Sequence, residues 1–274
     1  MAGAFCFMRI IKLAFLLLIA VCLLQSCKGK YYNIPSGAMA ETLPVGSRIY
    51  VVKSTVFKND DIAVFNYFGD DYRKPLEDEF GKYEQSWQKI VQRIIASSGD
   101  KMEIRNGDVY LNDELIRFPA EGLQEYTIKS TTPIEDFPET ESRYHNNMES
   151  TGSTITYRAQ LTLKEAAEYR NRKPTVLSVE KNINTDFNAQ IAQYCDTCNY
   201  SIDNYGPVKI PSPGDTIEVN AFNIRFYQQI PGIEKGTFVV KEKLYFMMGD
   251  NRHGSMDSRY IGVISHSNMV GIVK

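Results

Sequence analysis

Residues Ile34 to Lys53, IPSGAMAETLPVGSRIYVVK, decide how the rest of the chain is read. Pro35, Ser36 and Gly37 are turn formers, and the β-branched and aromatic run from Arg48 to Lys53 predicts a strand. Between them the small residue Ala38 precedes an apolar Met39. A turn of this kind presents one side chain and two backbone N–H groups to a bound backbone, which is how an acyl-transfer site is built. Here the side chain presented is a methyl group.

Outward from this stretch the texture is that of strands. A second strand is expected over Ile62–Tyr67 and another over Lys89–Ile95. Ser98-Gly99-Asp100 turns the chain into a strand over Met102–Arg105. Asn106-Gly107 is a hairpin turn, and Val109–Leu111 returns from it. From Asn204 to the end, Gly and Pro recur about every eight to twelve residues, which predicts a barrel or sandwich. In that stretch YQQI and KGTFVV read as further β segments. Residues 113–200 are more polar and read as an inserted subdomain. It carries one helix, Leu163 to Arg172, opened by a Thr162–Glu165 capping box and closed before Pro174. The fold class expected is mainly β, an antiparallel barrel or sandwich core over 28–274 with an inserted α+β cap at about 113–200.

The first 27 residues differ in kind. Arg9 and Lys12 precede an apolar run from Leu13 to Leu24, too short for a bilayer span of about 17–25 residues and closer to a secretory leader. Leu24-Gln25-Ser26-Cys27 resembles a bacterial lipobox with Cys27 as the lipidation site; an uncleaved anchor is the alternative. Either reading tethers the rest to a membrane on its extracytoplasmic side. Ser36 follows Cys27 by nine residues, a link of at most about 30 Å, so the turn is expected close to that membrane. Aromatics in and beside 69–85 (Phe68, Tyr72, Phe80, Tyr83 and Trp87) suit packing at a sheet edge or an interface.

Composition excludes some functions. A formal net charge of −2 gives no basis for nucleic-acid binding, and no cofactor is expected. Of five cysteines, only Cys195 and Cys198 lie in the exported part, and a local disulfide suits an oxidising compartment. No second pair or spaced histidines accompany them, so no metal site is expected. His145 and His266 read as surface or packing residues, and the acidic Glu135–Glu141 as a solvated loop.

Three segments, IPSGAMAETL, VQRIIASSGD and MGDNRHGSMDSRYIG, stand in this order with DIAVFNY between the first two. Together they resemble the signature boxes of bacterial type I signal peptidases, and DNYGPVKIPSPGDTI resembles a stretch of Bacteroidetes members. The resemblance covers roughly residues 31–112 and 199–273. It implies a β catalytic core with a cap, and cleavage of signal peptides from exported preproteins at a membrane by a Ser–Lys dyad. A lysine serves as base only if burial leaves it neutral.

Position by position, the resemblance places the family serine at Ala38 and the family lysine at Gln92, ahead of Arg93. Both members of the dyad are thus replaced. The surroundings match: Ser36 the oxyanion-hole serine, Gly37 and Met39 the binding turn, and Ser255 the serine that orients the lysine. Asp257 and Arg259 match a structural ion pair, and Gly249, Asp250, Asn251 and Arg252 the loop that shapes the site. His253 and Gly254 depart from the common Asp and Asn. Lys89 lies three positions from Gln92 and faces the other way along a strand. His253 is a base by type.

The expectation is therefore a tethered pseudopeptidase that binds exported preproteins, signal peptides or an active signal peptidase paralogue by strand addition. Two alternatives are kept. One is an active signal peptidase working through Ser36 or Ser255 with His253, the other a structural lipoprotein without peptide affinity.

Overall fold

A computed structural model describes residues 29–67, 88–135, 148–188, 190–195 and 197–274. The leader with Cys27, the aromatics Phe68, Tyr72, Phe80, Tyr83 and Trp87, most of Glu135–Glu141, and His145 lie outside the described residues. Among the described residues no helix is long and apolar enough to cross a membrane.

The Ile-, Val- and Tyr-rich runs become strands, as their β propensity dictates. In chain order these are β1 (Lys30–Asn33), β2 (Arg48–Val52), β3 (Ile62–Tyr67), β4 (Gln88–Ser97), β5 (Lys101–Arg105) and β6 (Asp108–Leu111). Next come β7 (Glu114–Leu115), β8 (Gln124–Ser130), β9 (Met148–Thr151), β10 (Thr154–Leu161), helix α1 (Leu163–Arg170), β11 (Val176–Lys181) and β12 (Tyr205–Lys209). The chain ends with β13 (Thr216–Val219), helix α2 (Ile224–Tyr227), β14 (Gly236–Val239), β15 (Leu244–Met248), helix α3 (Ser258–Ile261), β16 (Ile264–Ser265) and β17 (Met269–Val273).

Seven strands make the main sheet in the order β1-β2-β17-β3-β4-β15-β16, every neighbouring pair antiparallel. Successive residues of β4 feed different cores, as a period of two requires. Ile94 packs with Phe65, Tyr245 and Met247, whereas Ile95 packs with Phe226, Phe246 and Met248. Beside this sheet lie the meander β12-β5-β6-β7, the sheet β11-β8-β10-β9 and the hairpin β13-β14. The described sheets are antiparallel and close no barrel.

Local chemistry sets the turns. Asn106 and Gly107 have φ of 51° and 77°, the two positive values a tight hairpin between β5 and β6 needs. Asn112 and Asp113 (φ 52° and 69°) repeat the device between β6 and β7 without a glycine. Helix α1 carries the expected capping box: the Glu165 N–H donates to Thr162 Oγ1 and the Thr162 N–H to Glu165 Oε2. Its sheet, β8 to β11, holds a separate apolar cluster of Tyr126, Ile128, Tyr157 and Leu161. Further along the same polar stretch, Ile191, Ala192 and Tyr200 pack instead into the core beneath β4.

One β expectation is corrected. YQQI, Tyr227–Ile230, begins on the last residue of helix α2, continues as a turn and is no strand. Asn220 Oδ1 accepts from the Phe222 and Asn223 N–H groups, so the backbone is turned locally before a ladder can form.

Candidate active site

Strand pairing brings the key positions to one end of the main sheet. Pairing of β3 with β4 sets Ala63 opposite Gln92 and Ile62 opposite Arg93, and β15 sets Met248 beside Arg93. The chain then leaves β15 at Gly249, so the GDNR segment begins where Gln92 and Arg93 stand. The turn Gly37–Met39, a single 3-10 turn, packs against β4. Met39, 1% exposed, anchors it, and its sulfur accepts from the Asp250 N–H (3.3 Å).

The two segments are laced together. Asn251 donates its backbone N–H to the Ala38 carbonyl (3.0 Å) and its amide to the Gly37 carbonyl (3.1 Å). Gly249 is required by close approach: a Cβ there would sit 2.5 Å from the Ala38 oxygen and 2.3 Å from Ser255 Oγ. Ala38, Gly249 and Ser255 therefore meet at one spot, and Gln92 joins them. Its Nε2 donates to Ser255 Oγ (3.2 Å) and to the Met256 carbonyl (2.9 Å). The carbonyl fixes this orientation, since a flipped amide would set two acceptors against each other. Gln92 is fully buried, and its Oε1 has no hydrogen-bond partner among the described residues.

At the mouth, Ser36 is exposed and extended (φ −142°, ψ 161°), and its side chain does not cap the turn. The N–H groups of Ser36, Gly37 and Ala38 donate to no acceptor among the described residues. The turn thus offers a hydroxyl and backbone donors to a carbonyl oxygen. The Ala38 side chain has no lone pair with which to attack, and the Gln92 amide accepts no proton near neutral pH.

Around this spot Arg93 and Arg259 are each paired with a carboxylate. Arg93 grips Asp250 with two bonds, Nε to Oδ1 (2.9 Å) and Nη2 to Oδ2 (2.7 Å), and its Nη1 reaches Asp60 (2.8 Å). Thr42 Oγ1 donates to Asp250 Oδ2 (2.6 Å). Burial pulls the Arg93 guanidinium down, but the bonds to Asp250 and Asp60 outweigh it and raise its pKa. Arg259 is likewise raised: burial pulls it down, and the fork onto Asp257 (2.8 and 2.7 Å) more than offsets this. Asp257 also caps α3 and accepts from the Gly249 N–H.

His253 is occupied. Its Nδ1 accepts from the Glu125 N–H (3.3 Å), which leaves the proton on Nε2, and that nitrogen donates to Asp203 (3.0 Å). Neither ring nitrogen has a free lone pair to activate Ser36 or Ser255. Burial pushes the Asp203 carboxyl up, but His253, the Asn184 N–H and Arg259 hold it below the usual range. Lys89 is exposed on β4, as its spacing implied. Cys195 and Cys198 are joined as a disulfide.

Several supporting residues escaped the sequence reading. Gln160 Oε1 on β10 accepts from Asn251 Nδ2 (3.1 Å), and Leu123 exchanges backbone bonds with Asp250 and Arg252. These contacts cross from the polar subdomain to the loop, and no local pattern announces them. Thr42 and Asp203 had a signal, because each lies inside a stretch singled out for its likeness.

The family model described as signal peptidase, peptidase S26, matches residues 7–274. Signal peptidase I of Buchnera aphidicola subsp. Acyrthosiphon pisum is 25% identical over 97% of this chain and 73% of its own length. Signal peptidase I of Aquifex aeolicus is 25% identical over 94% of this chain and 78% of its own. A shorter match, 46% identical over 48 residues, covers 15% of signal peptidase I of Buchnera aphidicola subsp. Schizaphis graminum. With the family model spanning nearly its whole length, the chain belongs to the signal peptidase family, peptidase S26.

Proposed function

We propose that this protein binds the extended segments of exported preproteins at the extracytoplasmic face of a membrane and does not cleave them. Its partners on this reading are signal peptides and an active signal peptidase paralogue. The carrying observation is the paired replacement at the centre of an intact frame: Ala38 and Gln92 occupy the nucleophile and base positions, while Ser36, Ser255, Asp250, Asp257 and Arg259 keep theirs. In a serine protease, loss of the nucleophile lowers kcat by about 10⁶, leaving about 10³–10⁴ over the uncatalysed rate. The free amides beside Ala38 support a retained carbonyl-binding role, and the occupied ring of His253 argues against rearranged chemistry.

Restoration tests it. The parent and the double variant Ala38→Ser, Gln92→Lys are assayed as full-length proteins in detergent, with a labelled preprotein and a binding readout on the same substrate. Binding by both proteins and cleavage only by the double variant is the expected result. Cleavage by the parent at a rate that survives removal of contaminating peptidase would overturn the proposal, as would failure of the parent to bind.

A further inference from the structure

A cleft of about 450 Å³ opens between β4 and the segment Ile116–Glu121. Ala38 and Gln92 do not line it. Arg93, the next residue of β4, does line it, with Ile94 and Ile95 after it. Its floor is Arg252, 4% exposed, with the guanidinium 4.8 Å from the centre of the Phe118 ring. Only Nε of that group is engaged, donating to the Gly249 carbonyl (3.2 Å). The two terminal nitrogens donate to no atom of the described residues, and no carboxylate there is within ion-pair reach. The nearby acids are committed elsewhere, Asp60 to Arg93, Asp250 to Arg93 and Thr42, and Asp257 to Arg259. Burial and the neighbouring Arg259 lower the Arg252 pKa to about 10, so it stays cationic at neutral pH.

A buried guanidinium with a free fork is an anion receptor, because its planar donors match two oxygens at once. Ile95, Leu111, Ile116 and Pro119 give an apolar wall beside the Phe118 ring, and Thr42, Asn59 and the Asp60–Arg93 ion pair add polar lining. At the rim the charges of Arg117 and Glu121 oppose each other. One unpaired cation balances one negative charge, which favours a carboxylate over a phosphate dianion. From this we infer that the cleft binds a small carboxylate carrying an apolar body, its two oxygens on the Arg252 fork and its chain against the Phe118 wall. The volume lies in the range of small-molecule sites.

Ligand-observed NMR on the full-length protein in nanodiscs, with hexanoate, acetate, hexan-1-ol and inorganic phosphate as probes, tests this. Hexanoate is expected to bind saturably and at least about tenfold more tightly than hexan-1-ol, the range of a charged hydrogen bond. Acetate and phosphate are expected to be weaker than hexanoate. Arg252→Met should abolish the preference for hexanoate over the alcohol. Should that buried variant fail to fold, the exposed rim variant Ala120→Glu keeps the test open: it should weaken hexanoate about threefold at low salt, and less as salt rises. No saturable hexanoate binding, equal binding of the alcohol, phosphate binding as tight as hexanoate, or indifference to Ala120→Glu each overturns the proposal.

Discussion

The ion pairs of the frame and the centre of the site differ in how well their polar atoms are matched. In the frame, Asp257 holds Arg259 with two bonds while Arg259 also donates to the Ile202 and Arg252 carbonyls, all nearly without solvent. Asp250 is equally full, gripped by Arg93 and Thr42. At the centre, Gln92 spends both amide hydrogens and leaves Oε1 buried with nothing to accept. Removing one member of a buried pair strands a charge, so drift in the frame threatens folding. Drift at Ala38 and Gln92 strands no charge. Folding stability alone therefore constrains Asp250, Asp257 and Arg259 more tightly than Ala38 and Gln92.

The largest effect that would break this contrast lies in the frame. Asp257→Ala leaves Arg259 buried and unpaired and should destabilise the protein by about 3–5 kcal/mol in chemical denaturation. A loss under about 1 kcal/mol would mean that the frame is not what holds the fold. Thr42→Val keeps the shape and deletes one bond to a buried carboxylate. A loss of about 1.5–3 kcal/mol is expected, and an unchanged midpoint would show that Arg93 alone satisfies Asp250.

At the edge of the frame, Asp203 makes the contrast sensitive to pH. Its carboxyl is held below the usual value near 3.9, so between the two values the unfolded chain binds more protons than the folded one. Its stabilising contribution is complete above the usual value and is lost as pH falls through the folded one. Thermal midpoints from pH 2 to 6 should fall less steeply for Asp203→Asn than for the parent. Parallel curves would remove Asp203 from the acid limb.

How far the sequence revealed this depended on the range of each interaction. The strand Ile62–Tyr67, the Asn106-Gly107 hairpin and the Thr162–Glu165 box were legible because each is fixed within a few residues. The Asn112-Asp113 hairpin was missed because its positive φ values are reached without the glycine that usually signals them. YQQI was misread because Asn220 upstream turns the backbone before it. At the site, motif likeness located Ala38, Gln92 and the 249–259 loop, but only pairing across the chain reveals Gln160, Leu123 and the grip of Asp203 on His253. The orphaned Gln92 oxygen is of the same kind, since it depends on every neighbour at once.

That oxygen supplies the smallest and sharpest effect. Gln92→Leu removes a buried unsatisfied acceptor, a gain of about 1–3 kcal/mol, and gives up two amide donations worth about 1 kcal/mol each. The Met256 carbonyl it abandons belongs to a residue 60% exposed, which eases its hydration. The terms nearly cancel, and a net change within about 1 kcal/mol is expected, well below that of any frame variant. Gln92→Lys sharpens the point by introducing a charge. Burial disfavours its protonated form, so the folded amine has a pKa below the usual value near 10.4, and the unfolded chain binds the extra proton at neutral pH. The stability of Gln92→Lys should therefore climb with pH toward about 10, while that of Gln92→Leu shows no added slope. Equal slopes would mean that position 92 reaches water, and the matched frame would then surround a solvated centre instead of a buried one.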